Sequence, residues 1–338
     1  MEEFGRMERT PQKMDVILGV YLLLIVVSVR LQDRDEDFLS TSDMEPIRGV
    51  MAIAIILHHM SERTNGGRLF SFMVHMGYLI VAVFFFLSGY GLMIQFLKKG
   101  ERYLKGYWKS RIFYIGAIFA FASVVYSIYH LIIGDFTPSL TIAANSWYMV
   151  VQILLYVIFW CAFKIAGKGY SIGILLVFAM QTLMVIVMRL MALPGIWYMS
   201  NYAFVFGLIV AWKRDQIDRI IQQRFVIASL ASVVMFSIFS VLPSVIMGGY
   251  DVCRMASTIC FTVIVLLICS KIRIKSMIWS WLGKISLEIY LYHGLVYMVL
   301  RKIIENDFWW TLSTIVLTIP VAYFAFLIDT KIREMLKQ

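Results

Sequence analysis

The stretch Val83-Phe84-Phe85-Phe86-Leu87-Ser88-Gly89-Tyr90-Gly91-Leu92 decides the fold, because it lies in an apolar run over 74–97 that holds no lysine, arginine, aspartate or glutamate. About 20 helical residues at a rise of about 1.5 Å each cross a hydrocarbon core. Runs of comparable character recur near 14–31, 46–61, 111–133, 146–166, 171–190, 196–212, 225–243, 252–270, 278–300 and 308–328. The expectation is an all-α protein, a polytopic transmembrane helix bundle of ten core spans plus one N-terminal apolar segment. Residues 1–45 hold that segment and an acidic loop, and 46–338 form the transmembrane domain.

Composition agrees with lipid as the solvent. Of 338 residues, 61% are hydrophobic and only 15% are charged, and the mean hydropathy is +0.79. A soluble domain of this size would need far more charge on its surface. The net charge of +10 does not imply nucleic acid, because the basic residues sit in short clusters between apolar runs rather than along one face. Membrane lipid is the expected surrounding. Cys161, Cys253, Cys260 and Cys269 lie in or beside apolar runs with neither metal-ligand nor disulfide spacing, and read as small buried hydrophobes.

Basic loops stay on the cytoplasmic side. One set of loops collects Lys98, Lys99, Arg102, Lys105, Lys109 and Arg111, then Lys164 and Lys168, then Lys213, Arg214, Arg219 and Arg224, then Lys271, Arg273 and Lys275, and finally Lys331, Arg333 and Lys337. The opposite loops hold only Arg63, Arg68, Arg189, Arg254, Arg301 and Lys302. The first set is therefore placed inside. The acidic stretch Asp33 to Glu45 is then cytoplasmic, and the N-terminal tail is outside if the first run crosses. A cleaved signal peptide is a weaker reading of that run, because no small-residue cleavage site follows Val29.

Ionisable side chains within spans are costly, by about 2.5–3.5 kcal/mol on insertion scales, so each is a functional hypothesis. Arg48 and His59 stand eleven residues apart in the second run, about 16 Å along a helix and close to one face. Arg48 lies toward the cytoplasm, where a guanidinium suits an anionic or carbonyl-bearing donor. His59 lies toward the outer half, where an imidazole can move protons near neutral pH. The plain alternative is a snorkelling arginine and a histidine that hydrogen-bonds within the bundle.

The small residues around Ser88 suit close helix packing or a ligand. Tyr103-Leu104-Lys105-Gly106-Tyr107-Trp108-Lys109-Ser110-Arg111 reads as cytoplasmic flanking that can also hold phosphates. In Leu282-Gly283-Lys284-Ile285-Ser286-Leu287-Glu288-Ile289-Tyr290-Leu291-Tyr292-His293, the spacing of Lys284 and Glu288 predicts a pair on one helix face. His293 falls at a depth comparable with His59, so the two can line one cavity.

Together these segments resemble the acyltransferase family three membrane proteins, which include bacterial polysaccharide, lipopolysaccharide and peptidoglycan O-acetyltransferases. Arg48 and His59 match the family's spaced arginine and histidine, Phe84 to Tyr90 its phenylalanine-rich leucine-serine-glycine motif, and Arg111-Ile112 its arginine-rich segment. Asn145-Ser146-Trp147-Tyr148-Met149 with Gln152 and Tyr156 is similar to its tryptophan-centred motif. Phe204-Val205-Phe206-Gly207 and the segment Leu282 to His293 are similar to two later signatures. Two departures are Gln152, where many members carry glutamate, and Tyr114, where proline is common.

The resemblance implies an acyltransferase domain in a bacterial cytoplasmic membrane. It implies transfer of an acyl group, most often acetyl, from cytoplasmic acyl-CoA to a hydroxyl of an extracytoplasmic or lipid-linked glycan. The acyl-CoA is a donor substrate, with no bound cofactor and no metal. His59 would be the proton-handling base or a transient acyl carrier, and Arg48 would orient the donor. Arg111 would hold donor phosphates, while Ser88, Trp147, Tyr290 and His293 would shape the cavity. The competing class is a proton-coupled transporter or flippase, which intramembrane arginine and histidine also mark; no similarity between halves of the chain supports it.

Overall fold

The computed structural model describes residues 9–31, 40–136, 147–242 and 250–335. Asn145 and Ser146, the acidic residues Asp33, Asp35, Glu36 and Asp37, and Lys337 lie outside the described residues. In chain order the helices are α1 Arg9–Ser28, α2 Thr41–Ser61, α3 Gly77–Lys99, α4 Glu101–Lys105, α5 Tyr114–Ile133, α6 Trp147–Ala166, α7 Tyr170–Leu190, α8 Tyr202–Trp212, α9 Arg214–Val241, α10 Tyr250–Cys269, α11 Met277–Lys284, α12 Ser286–Arg301 and α13 Asp307–Met335. Two three-residue strands, β1 Val29–Leu31 and β2 Ile272–Ile274, pair antiparallel with Arg30 opposite Arg273. The protein is an all-α, multi-pass membrane bundle. Among the described residues, eight helical segments are long and apolar enough to cross a membrane.

The runs 14–31, 46–61 and 278–300 are not among those eight. The first ends as a helix at Ser28 and turns into β1. The second lies in α2, Thr41–Ser61, which carries Asp43, Glu45 and Arg48 in its first turns and two histidines in its last. The third is not one helix. It breaks at Ile285, whose backbone (φ −101°, ψ 16°) leaves the helical region, so α11 and α12 are separate.

The chain divides into two compact units. The first comprises residues 1–80 and 272–330. Ser40 caps α2: its hydroxyl accepts from the Asp43 amide at 3.3 Å, and the Asp43 carboxylate accepts from the Ser40 amide at 3.0 Å. Asp43 also meets Arg273 at 3.3 Å, tying the start of α2 to β2. The other end of the unit is tied by Asp15 of α1, whose carboxylate accepts from the backbone amides of Arg68, Leu69 and Phe70 at 2.8 to 3.0 Å.

So α1 reaches from the loop after α2 to the strand pair. The tyrosine Tyr21 donates to the Val50 carbonyl at 3.0 Å midway. Within this unit the basic segment around Arg273 and the loop at Arg68 stand at opposite ends, as the loop charges require.

Helices α2 and α11 cross backbone to backbone. A Cβ on Gly49 would overlap the Trp279 carbonyl oxygen, and one on Gly283 would overlap the Glu45 carbonyl. Both glycines are needed for the close approach. The break at Ile285 follows this crossing, and it separates Lys284 from Glu288. The expected pair is therefore not formed: Lys284 is exposed, while Glu288 is buried and meets Asp329 of α13 instead.

The second unit, residues 81–271 and 331–338, holds most of the membrane-length helices. Here α3 and α8 cross through glycine in the same manner. A Cβ on Gly89 would overlap the Phe204 carbonyl, and one on Gly207 the Phe86 carbonyl. The small residues beside Ser88 thus serve packing. Helix α5 is preceded by a π-helical turn, Trp108–Phe113, and α9 kinks at Arg224. Val226, Ile227, Leu230, Val233 and Val234 of α9 are exposed, a surface suited to lipid.

Candidate functional site

In the first unit the last turn of α2 concentrates titratable groups. His59 Nδ1 lies 3.0 Å from Glu62 Oε2, and Arg63 Nη1 reaches the same oxygen at 3.1 Å. A carboxylate only accepts, so Nδ1 of a neutral His59 carries the proton and the lone pair is left on Nε2. The residue spacing makes this local: positions three apart share a helix face. Arg63 also donates to the His59 carbonyl at 2.8 Å and lies 4.6 Å over the Tyr297 ring.

His58, the neighbour, is buried. Its Nδ1 is 2.9 Å from the Met73 carbonyl, which can only accept, so its Nε2 also holds a lone pair when the ring is neutral. That Nε2 stands 3.5 Å from Glu62 Oε1. Burial alone would raise the Glu62 carboxyl. The hydrogen bond from His59 and the charges of His58, His59 and Arg63 outweigh it and hold the group down to about 2.

Helix α12 brings His293 to the same place. Its ring stacks on that of His59, with centroids 5.1 Å apart and planes 19° apart. His293 is buried, its Nδ1 donates to the Ile289 carbonyl at 3.1 Å, and its Nε2 has no hydrogen-bond partner among the described residues. Tyr290 sits one turn earlier, with its ring centroid 5.9 Å from that of His293. The two histidines read as lying at comparable depth, His59 and His293, are in ring contact. Arg48 is half-buried on α2 about three turns before the cluster, toward the end that β2 abuts, and is not in contact distance of it.

Ser88 and Trp147 belong to the second unit. Ser88 Oγ and the Tyr148 hydroxyl both donate to Gln152 Oε1, each at 3.2 Å. Trp147, the first residue of α6, sits edge-on to Tyr148 with centroids 6.2 Å apart. The glutamine standing where glutamate is common thus keeps the acceptor oxygen that two hydroxyls need. Arg111 is elsewhere in the unit. Its Nε donates to the Tyr103 hydroxyl at 3.2 Å, and Tyr107 and Tyr156 lie close enough to interact with its charge. Nearby in sequence, a cavity of about 250 Å³ is lined by Lys105, Trp108, Trp160 and Lys164, among others.

Sequence reasoning did not single out Glu62. The signal was present, since a carboxylate three residues after a histidine on one helix is positioned to orient the ring. It was masked because Glu62 falls just outside the apolar run.

A family described as "Acyltransferase domain" matches this chain over residues 43–327. No curated protein and no solved structure matches it.

Proposed function

The chain belongs to acyltransferase family 3, and from that premise we propose that it moves an acetyl group from cytoplasmic acetyl-CoA to a hydroxyl of an extracytoplasmic or lipid-linked glycan in a bacterial cytoplasmic membrane. The observation that carries the reading is the His59–Glu62 contact of 3.0 Å, which leaves the Nε2 lone pair of His59 to act as a base.

In this reading Nε2 accepts the proton of the acceptor hydroxyl as its oxygen attacks the thioester carbonyl. The tetrahedral centre then collapses, the carbon–sulfur bond breaks, and the imidazolium returns the proton to the departing thiolate. The products are an ester and free CoA. Glu62 stabilises the imidazolium that forms, as carboxylates beside catalytic histidines do. His293, packed under the His59 ring, fixes its plane, and Tyr290 fixes His293 in turn.

Arg48 orients the donor from the cytoplasmic side, and Arg111 with Lys105 and Lys164 attracts its phosphates. The cavity walled by Trp108 and Trp160 offers aromatic faces beside those two lysines, a combination that suits a nucleotide-bearing donor. Ser88 and Trp147 shape the acyl path of the second unit.

The test is transfer of label from radiolabelled acetyl-CoA by membranes holding wild type or His59→Ala, with products resolved into glycan, lipid and unreacted donor. Label in glycan or lipid that needs His59 supports the reading. Full transfer by a normally folded His59→Ala protein sinks it, and absence of label with any short acyl-CoA turns the weight to transport.

A further inference from the structure

The pair His58 and Glu62 contains a contact that neither group satisfies alone. The Met73 carbonyl fixes the His58 proton on Nδ1, so a neutral His58 presents a lone pair at Nε2 to a second acceptor, Glu62 Oε1, at 3.5 Å. Something positive belongs between them. Gly77 keeps that edge of the ring open, because a Cβ there would overlap His58 Nε2. On the other side of the same carboxylate stands His59 Nδ1. The three ligand atoms offered by His58, His59 and Glu62 all lie within 4.8 Å of one another.

We propose that His58, His59 and Glu62 bind one divalent transition metal ion, of which Zn²⁺ is the best match, and that this ion switches off His59. Two imidazoles and a carboxylate are a ligand set that zinc accepts, at about 2.0–2.2 Å from each atom, with an open position for water. Two imidazole nitrogens in the set disfavour calcium and magnesium, which take oxygen ligands. Bringing the three atoms onto one ion requires the widest pair to draw together by up to about 1.4 Å, an adjustment at the last turn of a helix. Glu62 is exposed and His59 partly so, so an ion from the outer side can reach them. Arg63 opposes the ion, since its Nη1 is 3.1 Å from Glu62 Oε2. It is itself exposed and can withdraw to the Tyr297 face it already covers.

The inhibitory part rests on the role given to His59 above. With the ion absent, Nδ1 of His59 carries the proton and Nε2 is the base. With the ion bound, Nδ1 gives its lone pair to the metal, the proton resides on Nε2, and the atom that must accept a proton no longer can. The sequence reading assigned no metal site: the four cysteines lack metal-ligand spacing.

The experiment uses the full chain in lipid nanodiscs with any affinity tag removed. Equilibrium dialysis against Zn²⁺ is expected to give one ion per chain, and His58→Gln is expected to weaken binding about 100-fold. Gly77→Ala, whose Cβ would overlap His58 Nε2 while all three ligand residues are kept, weakens it as well. X-ray absorption at the zinc edge of the wild type is expected to show two imidazole nitrogens.

A wild type that binds no stoichiometric zinc, a shell of oxygen only, or equal binding by wild type and both variants overturns the proposal, and the first would mean that a proton fills the gap at His58. These readouts do not depend on catalysis. In the transfer assay zinc inhibits the wild type, and His58→Gln transfers label but resists zinc; if no label moves at all, the function has failed and the binding result still stands.

Discussion

The ring of His59 stacks on the ring of His293 at 5.1 Å between centroids, although one closes α2 and the other lies in α12 near the far end of the chain. Stacking of this kind sets the plane of the outer ring and leaves its Nδ1 to be set by Glu62. The predicted consequence is a graded series. His293→Phe keeps a ring under His59 and lowers transfer about 10-fold, whereas His293→Ala frees the ring to turn and lowers it about 100-fold. Steady-state kinetics on both variants, with the loss falling on kcat more than KM, checks this. Equal losses in the two would mean that stacking is not what matters.

Glu62 is the second half of the same constraint. Glu62→Gln keeps size and can still meet Nδ1, but offers either an amide hydrogen that favours the wrong tautomer or a neutral oxygen that cannot stabilise an imidazolium. Transfer is expected to fall on the order of 100-fold with the chain folded as before. Label transfer compared with the wild type at matched protein amounts is the measurement.

Much of this arrangement was legible in the sequence. The apolar runs marked the all-α membrane architecture, and the polar positions in them marked His59 and His293 at comparable depth. The break at Ile285 was not legible, because Leu282 to His293 has an uninterrupted helical pattern. What ends α11 is its backbone crossing at Gly283 against Glu45, a contact with a distant segment. The loss of the Lys284–Glu288 pair follows from it. Ser88 was placed on the right helix and Arg111 at the entry to the next, where it sits in the π-helical turn before α5, yet their partners, Gln152 and Tyr103, come from packing that spacing does not encode.

The crossing itself is testable. Gly49→Ala sets a methyl group against the Trp279 carbonyl, and Gly283→Ala sets one against the Glu45 carbonyl. Neither backbone can yield without parting α2 from α11. Each substitution is expected to cost about 1–3 kcal/mol or more, seen as a lower midpoint in thermal denaturation of the nanodisc-held protein. Gly116→Ala is the control, since nothing lies within 4 Å of a Cβ there.

Gln152 accepts from Ser88 and Tyr148 at 3.2 Å each. Gln152→Leu is nearly the same size but removes the acceptor that the Ser88 and Tyr148 hydroxyls share. The expected cost is about 1–3 kcal/mol in stability, with the second unit loosened around α3 and α6. Restoring an acceptor by Gln152→Glu is expected to recover part of the loss, and a thermal denaturation series of the three proteins decides it. If Gln152→Leu melts with the wild type, the two hydroxyls have other acceptors.

Acid stability gives the last prediction. Glu62 ordinarily titrates near 4.5, and in the folded chain its carboxyl is held to about 2. The folded state therefore binds the Glu62 proton less readily than the unfolded state does. The stabilisation from the ionised group is complete above about pH 4.5, shrinks as the pH falls through that value, and is gone below about 2. Wild type should lose stability between pH 4.5 and 2 more steeply than Glu62→Gln. Denaturation midpoints measured across that range would show the convergence. Parallel curves down to pH 2 would mean that His59, His58 and Arg63 do not hold the carboxylate as the geometry requires.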